Sequence, residues 1–225
     1  MVVNIDSYIK IKKELEPGNV ILVAVSKLKT IEDIRALYDL GQRNFGENYV
    51  QELLDKYEAL PKDIRWHFIG HLQSNKVKYI APFVHLIHGV DSEKLLQEIN
   101  KHGARINRII PCLLQMHISA EETKFGLDES ELENIISKMT GNQKAFDHVS
   151  VKGLMGMASF TEDNDLIITE FTKLKKLYDN FNARLSIIHY PLSILSMGMS
   201  SDYRFAIEAG STMVRIGSLL FGSRI

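Results

Sequence analysis

Residues 20–27 read Val20-Ile21-Leu22-Val23-Ala24-Val25-Ser26-Lys27. A run this short, apolar and β-branched predicts a strand that is buried on both faces, as in a parallel sheet. A lysine at the carboxyl end of such a strand lies where α/β barrels carry their chemistry. Partial burial lowers the pKa of an amine there, which lets it form a Schiff base with a carbonyl group. On position alone, the simpler interpretation is a lysine with a buried stem and a solvated amine.

The rest of the chain alternates short apolar runs with amphipathic helical patterns. The expected strands are 20–26, 43–45, 66–69, 86–90, 109–117, 152–157, 194–197 and 213–216. The expected helices are 31–40, 49–57, 75–80, 92–102, 129–139, 165–181 and 202–209, preceded by an extra one at 5–15.

This alternation predicts an α/β fold with a parallel sheet and right-handed crossovers. Eight strands in a chain of 225 residues favour a single (β/α)₈ TIM barrel with an extra N-terminal helix. The alternative is an open doubly wound sheet, but no Gly-x-Gly-x-x-Gly fingerprint follows the first strand. No low-complexity linker divides the chain, so we expect one domain over residues 1–225.

Composition limits the partners and the location. The chain has 45% hydrophobic and 24% charged residues and a formal net charge of −1. This balance gives no overall attraction to nucleic acid or to an anionic membrane, so we expect neither as a partner. Cys112 is the only cysteine, which excludes an intrachain disulfide. No segment resembles a signal peptide or a membrane span, so a cytoplasmic protein is expected.

Polar residues and glycines gather where the expected strands end. In chain order the segments are Lys27, Gly46-Glu47-Asn48, His67, Gly70, His71, His117, Gly198-Met199-Ser200-Ser201 and Arg215-Ile216-Gly217-Ser218, while the sixth strand ends at Met157. The carboxyl ends of barrel strands form one face, and that face holds the active site of barrel enzymes. We therefore expect a functional site at this end of the barrel.

Two of these segments predict a phosphate site. Ser200 and Ser201 are expected to begin a helix, where hydroxyl and backbone N–H groups bind anions. Gly217 and Ser218 offer further backbone donors, with no side chain on Gly217 to block a close approach. Each residue alone is equally explained as a cap or a turn, but barrels frequently bind phosphate after strands seven and eight. The combination therefore favours phosphate.

A phosphate site that faces a lysine on the first strand suits pyridoxal phosphate (PLP), which carries a phosphate and an aldehyde. Arg215 is then expected beside the pyridine nitrogen, or alternatively in an ion pair or a phosphate contact. A guanidinium accepts no proton, so it would leave that nitrogen unprotonated and weaken the ring as an electron sink. His67 and His71 are four residues apart, but Gly70 interrupts the helix that a metal-binding pair would need. We expect no metal, and an imidazole at the barrel mouth instead.

Several longer stretches together resemble one family. They are Val23 to Lys27, Phe45 to Glu52, Trp66 to Lys76, Gly153 to Ala158, Leu195 to Ser200 and Gly210 to Gly217. The chain resembles the pyridoxal phosphate homeostasis protein family, whose members are single-barrel relatives of the N-terminal domain of alanine racemase (fold type III). The resemblance extends over nearly the whole chain in the right order.

The resemblance implies a role for each matching position. Lys27 would bind PLP as a Schiff base, Arg215 would face the ring nitrogen, and Asn48 would lie near the cofactor. With the phosphate-binding residues and His67 at the mouth, the expected cofactor-binding residues are Lys27, Asn48, His67, Ser200, Arg215, Gly217 and Ser218. The family usually has threonine where this chain has Ser218, which keeps the hydroxyl and loses a methyl group.

Two functions follow from the resemblance. The first is a carrier that holds PLP on Lys27 for intracellular PLP homeostasis and delivery, with apo PLP enzymes as recipients and no efficient catalysis of its own. The second is a PLP-dependent amino-acid racemase. The racemases supply a second base, a tyrosine, from an additional β domain that we do not expect here, which favours the carrier and a monomer. A Schiff-base aldolase is disfavoured, because such enzymes more often carry the lysine on a later strand.

Overall fold

The computed structural model describes residues 3–119, 125–141 and 145–222. Within these residues, eight parallel strands follow one another around a closed barrel, because β1 pairs with both β2 and β8. The strands are β1 Ile21–Val25, β2 Asn44–Glu47, β3 Arg65–Phe68, β4 Leu86–Val90, β5 Ile110–Gln115, β6 Val149–Met155, β7 Ile194–Ser196 and β8 Met213–Ile216. The predicted TIM barrel is confirmed.

Helices alternate with the strands. They are α1 Ile5–Leu15, α2 Ile31–Asp39, α3 Val50–Ala59, α4 Val77–Ile80, α5 Glu93–Arg105, α6 Glu129–Gly141, α7 Asn164–Ile187, α8 Tyr203–Glu208 and α9 Ser218–Phe221, with a 3₁₀ turn at Ser74–Lys76 before α4. Helix α7 is longer than expected because Leu185 is buried four residues after Phe181 and extends the apolar face. No helix in the described ranges is long and apolar enough to cross a membrane.

The extra N-terminal helix is stabilised by its cap and by its buried face. The Asn4 side chain accepts a hydrogen bond from the Ser7 backbone N–H at 2.9 Å, which satisfies one of the unpaired donors of the first turn. Tyr8, Ile11 and Leu15 are buried at helical spacing. Helix α1 therefore has the bounds that its sequence pattern predicts.

The apolar residues form two clusters. The larger cluster lies mostly between the strands and the surrounding helices, whereas the smaller one consists of Val23, Leu86, Leu113, Met155 and Met213. Because side chains alternate along each strand and neighbouring strands are in register, the smaller cluster fills the inside of the barrel. The same interior also receives polar side chains from several strands, and these side chains bear on the site at the barrel mouth.

Candidate functional site

Lys27 lies just beyond the end of β1, at the carboxyl-terminal mouth of the barrel, and is half-buried. The backbone before it is held by buried groups of β2 and α3. Ser26 Oγ donates a hydrogen bond to Glu47 Oε1 at 2.6 Å, and Lys56 Nζ donates to the Ser26 carbonyl oxygen at 2.7 Å. Residue 26 is therefore fixed through both its side chain and its main chain.

The backbone after Lys27 is held from the same side. The Leu28 N–H donates to Glu52 Oε1 at 2.5 Å, and Leu28 has a φ angle of 60°. A leucine in this left-handed region costs about 1–2 kcal/mol, which the surrounding contacts must offset. The residues on either side of Lys27 are thus both anchored to one group of side chains, which we call the Lys56 cluster: Glu47, Glu52 and Lys56.

The Lys56 cluster is a buried ion network. Lys56 Nζ lies 2.7 Å from Glu47 Oε1 and 2.7 Å from Glu52 Oε1. Glu47 is fully buried, and its second carboxylate oxygen has no hydrogen-bond partner among the described residues. Burial raises the pKa of Glu47 to about 6, although Lys56 and Ser26 both favour the charged form. The Glu47 proton is therefore held more tightly in the folded protein than in the unfolded chain.

This pKa shift gives an expected pH dependence. Because the folded-state pKa of Glu47 lies above its ordinary value of 4.5, the resulting stabilisation is complete below pH 4.5 and is lost as the pH rises through about 6. The loss amounts to about 2 kcal/mol of unfolding free energy. Urea unfolding at a series of pH values should show wild type losing this amount relative to Glu47→Gln. Parallel pH profiles for the two proteins would contradict the shift.

Asn48 follows β2 at the same end of the barrel as Lys27. Its backbone lies against Gly70, where an added Cβ would clash with the Asn48 carbonyl oxygen, so close packing requires glycine at position 70. The Asn48 Oδ1 atom is buried and has no hydrogen-bond partner in the part of the chain that the structure describes. A buried acceptor without a donor is costly, and a bound ligand with a donor group would satisfy it.

Ser200 and Gly217 meet where β7 and β8 end. The Gly217 N–H donates to Ser200 Oγ at 3.2 Å, and a Cβ on Gly217 would come within 3.3 Å of Val25 in β1. Ser218 is exposed and begins α9. The expected phosphate-binding residues are thus gathered beside the strand that carries Lys27.

The helix expected at 202–209 is found as α8, which begins at Tyr203, so Ser200 and Ser201 lie in the turn before it and not in its first turn. In that turn Asp202 Oδ1 accepts a hydrogen bond from the Met199 N–H at 2.5 Å. The anion-binding groups offered here are therefore hydroxyl and backbone groups of two strand ends.

Arg215 lies deeper in the barrel, two residues before Gly217. It is 4% exposed and donates to Ser196 Oγ at 2.7 Å and to the Gly156 carbonyl oxygen at 3.1 Å. Burial lowers the pKa of Arg215 to about 10, and Asp202 opposes this shift. The guanidinium therefore remains charged at neutral pH, and its hydrogen-bond acceptors are a hydroxyl and a carbonyl oxygen.

The two predicted histidines lie in different environments. His67 is buried inside the barrel, and its ring nitrogens lie 2.9 Å from His88 Nε2 and 3.0 Å from Asn44 Oδ1. Both ring nitrogens thus have protein partners, and the cofactor contact of His67 stays a prediction. The His71 ring lies at the mouth, 2.9 Å from Asp91 Oδ2. Among the described residues, no group of three or more His, Cys, Asp or Glu side chains could hold a metal ion.

Sequence reasoning missed His88, Ser196 and Lys56. His88 stands inside the apolar run of β4 and Ser196 at the end of β7, and both are fully buried. A lone polar residue inside a buried strand is the signal that could have indicated them. Lys56 gives no such signal, because the sequence around it has the charged residues typical of an exposed helix.

The barrel and its mouth match known proteins over nearly the whole chain. A sequence profile for the N-terminal domain of alanine racemase matches residues 6–225. The pyridoxal phosphate homeostasis protein of Aquifex aeolicus is 41% identical over 204 residues, which cover 90% of this chain and 86% of that protein. This chain belongs to the pyridoxal phosphate homeostasis protein family.

Solved structures agree with this family. PipY of Synechococcus elongatus, solved without PLP, is 31% identical with a TM-score of 0.89, covering 96% of this chain and 99% of that one. The same protein with PLP bound gives a TM-score of 0.84. An alanine racemase from Streptomyces coelicolor is 16% identical with a TM-score of 0.75, and the match covers 97% of this chain but 57% of that one. At this identity the racemase shows a shared fold only.

Proposed function

We propose that this protein binds PLP as a Schiff base on Lys27 and serves intracellular PLP homeostasis and delivery. The observation that carries the proposal is the adjacency of the β1 and β8 ends, which brings Lys27 near the Ser200–Gly217 pair. A lysine beside hydroxyl and backbone donors suits a ligand with an aldehyde and a phosphate. Relatives named for PLP homeostasis, and PipY solved with PLP bound, support the same ligand.

Each residue at the mouth has a task that suits this ligand. Lys27 would supply the amine, and the anchored Ser26 and Leu28 would keep its backbone in place. The Ser200 and Ser218 hydroxyls would donate to the phosphate, and the Gly217 N–H would turn from Ser200 Oγ to the phosphate. The unpaired Asn48 Oδ1 would accept a hydrogen bond from the ligand. When bound, PLP supplies an aldehyde for covalent attachment and an electron-withdrawing ring.

Arg215 favours a carrier over a racemase. A guanidinium has donors only, so beside the ring nitrogen it would hold that nitrogen unprotonated. The ring is then a weaker electron sink, which suits retention better than catalysis. We further propose that residues 1–225 act as one domain, as a cytoplasmic monomer that hands PLP to apo enzymes.

The proposal is tested by absorbance spectroscopy of the protein mixed with PLP, followed by borohydride reduction and peptide mapping. We expect a yellow protein, with the reduced adduct on the peptide that contains Lys27. A protein that stays colourless with PLP, or an adduct on another lysine, would refute the proposal. Phosphate-free pyridoxal is the matched control, and it should bind much more weakly.

Substitution of Arg215 tests the expected ring contact. Arg215→Gln keeps hydrogen-bonding groups but removes the charge, and a hydrogen bond to a charged group contributes about 1.5–3 kcal/mol. We expect PLP to bind about tenfold to a hundredfold more weakly, measured by equilibrium dialysis. Thermal unfolding without PLP serves as the control for folding. An unchanged dissociation constant would place the guanidinium away from the cofactor.

A further inference from the structure

A line of hydrogen bonds inside the barrel connects Arg215 to Asn44. Arg215 Nη1 donates to Ser196 Oγ at 2.7 Å, and Ser196 Oγ lies 3.3 Å from His88 Nδ1. His88 Nε2 lies 2.9 Å from His67 Nδ1, and His67 Nε2 lies 3.0 Å from Asn44 Oδ1. We call these five residues the interior chain. Its members come from β8, β7, β4, β3 and β2.

The two imidazoles of the interior chain are neutral. His67 and His88 are 1% and 0% exposed. Burial lowers the pKa of His67 to about 3 and holds that of His88 well below its ordinary value. A neutral imidazole has one N–H donor and one acceptor nitrogen, so each ring can pass a hydrogen bond in one direction only.

The charge on Arg215 fixes the first hydrogen bond of the line. A guanidinium cannot accept a hydrogen bond, so Ser196 Oγ must be the acceptor in that contact. The hydroxyl keeps its own proton and a second lone pair, so at this end Ser196 can either donate to His88 Nδ1 or accept from it.

The other end of the interior chain decides between the two. The atom of Asn44 that faces His67 Nε2 is Oδ1, which only accepts, so the His67 proton lies on Nε2. His67 Nδ1 then accepts from His88 Nε2–H, which leaves His88 Nδ1 to accept the Ser196 hydroxyl proton. Every donor of the line therefore meets an acceptor, and Ser196 accepts from Arg215 while it donates to His88.

We propose that the interior chain runs one way, from Arg215 to Asn44, and that Ser196 and His88 are positioning residues for the Arg215 guanidinium. The cofactor contact of Arg215 rests on the proposed function, whereas the direction of the chain does not. With Gly156 holding Nη2 and Ser196 holding Nη1, the plane of the guanidinium is fixed before a ligand arrives. A donor fixed in advance loses less entropy when it binds, which strengthens binding.

The first test is ¹⁵N NMR of the histidine side chains in the PLP-free protein. We expect His67 and His88 both as the neutral Nε2–H tautomer at pH 7, with assignments from His67→Gln and His88→Gln. An Nδ1–H tautomer at either residue would overturn the one-way chain. This readout does not depend on PLP, so it stands even if the protein binds no cofactor.

The second test removes the link between the arginine and the histidines. Ser196→Ala should shift the His88 Nδ1 resonance, because that nitrogen loses its donor. Ser211→Ala is the matched control, since Ser211 is also buried between β7 and β8 but bonds to backbone carbonyl oxygens, among them that of Met197 at 2.8 Å. It should leave both histidines unchanged. A His88 signal that is the same in Ser196→Ala and wild type would refute the chain.

The third test measures positioning. We expect Ser196→Ala to weaken PLP binding about threefold to tenfold, less than Arg215→Gln does, because the guanidinium stays in place and keeps its bond to the Gly156 carbonyl oxygen. Ser196→Thr keeps the hydroxyl and should restore most of the affinity, and Ser211→Ala should bind as wild type does. Normal affinity in Ser196→Ala, where Arg215→Gln binds weakly, would refute the positioning role. If Arg215→Gln also binds normally, the cofactor contact of the proposed function fails instead.

Discussion

Replacing Lys27 by alanine is expected to abolish the Schiff base with PLP. The amine of Lys27 is the proposed point of covalent attachment. We expect the visible absorbance band to disappear and borohydride to trap no PLP at this position. Gel filtration after mixing should leave the variant protein colourless.

Two variants separate the possible causes of that loss. Lys27→Arg keeps a positive charge but offers no amine, so we expect it to lose the absorbance band while retaining some phosphate-dependent binding. Lys76→Ala removes an exposed lysine at the same end of the barrel and should keep the full band. A normal visible absorbance band in Lys27→Ala would contradict the assignment of Lys27 to the site. It would favour the simpler interpretation, a lysine with a solvated amine.

Replacing Lys56 by methionine is expected to lower the free energy of unfolding more than any other substitution proposed here. Lys56 is 4% exposed and Glu47 is fully buried, so the variant leaves a carboxylate inside the protein without its cation. Breaking a buried ion pair from one side costs about 3–5 kcal/mol. We expect that loss in urea unfolding at pH 8. The loss should be smaller at pH 5, because Glu47 is then protonated.

A double-variant comparison identifies the source of the loss. Glu47→Gln combined with Lys56→Met removes both charges, so it should be more stable at pH 8 than Lys56→Met alone. Lys94→Met, on the exposed surface of α5, should change the unfolding free energy little. Equal costs for Lys56→Met and Lys94→Met would show that the Lys56 cluster contributes nothing to stability.

The barrel could be predicted from the sequence because its signals are local. Most strands are short apolar runs and most helices repeat apolar residues at helical spacing, as in α1, so type and order follow from the pattern. Helix α9 was not predicted, because four residues give no measurable period. The start of α8 was expected within one residue, but which residues form the turn before it could not be read from the sequence, because Ser200, Ser201 and Asp202 were equally plausible caps.

The candidate site was predictable only in part. Lys27, Ser200 and Gly217 stand at strand ends, where the fold itself brings residues together. Lys56 and His88 act through partners 30 and 21 residues away, at Ser26 and His67, and no local pattern encodes such contacts. From its sequence position, His67 was expected at the barrel mouth, but its hydrogen-bond partners lie inside the barrel. Contacts within buried polar networks are therefore set by the fold and not by local sequence.

The interior chain also bears on how the barrel is assembled. Ser196 and His88 are 108 residues apart, so their contact forms only when the last strands meet the first half of the chain. A slip of one residue in any strand would turn its polar side chain away from the line and leave buried donors unmatched. The five residues thus favour the correct closure of the barrel. In the correct register every hydrogen bond of the line forms, whereas a wrong register is less stable because buried polar groups lack partners.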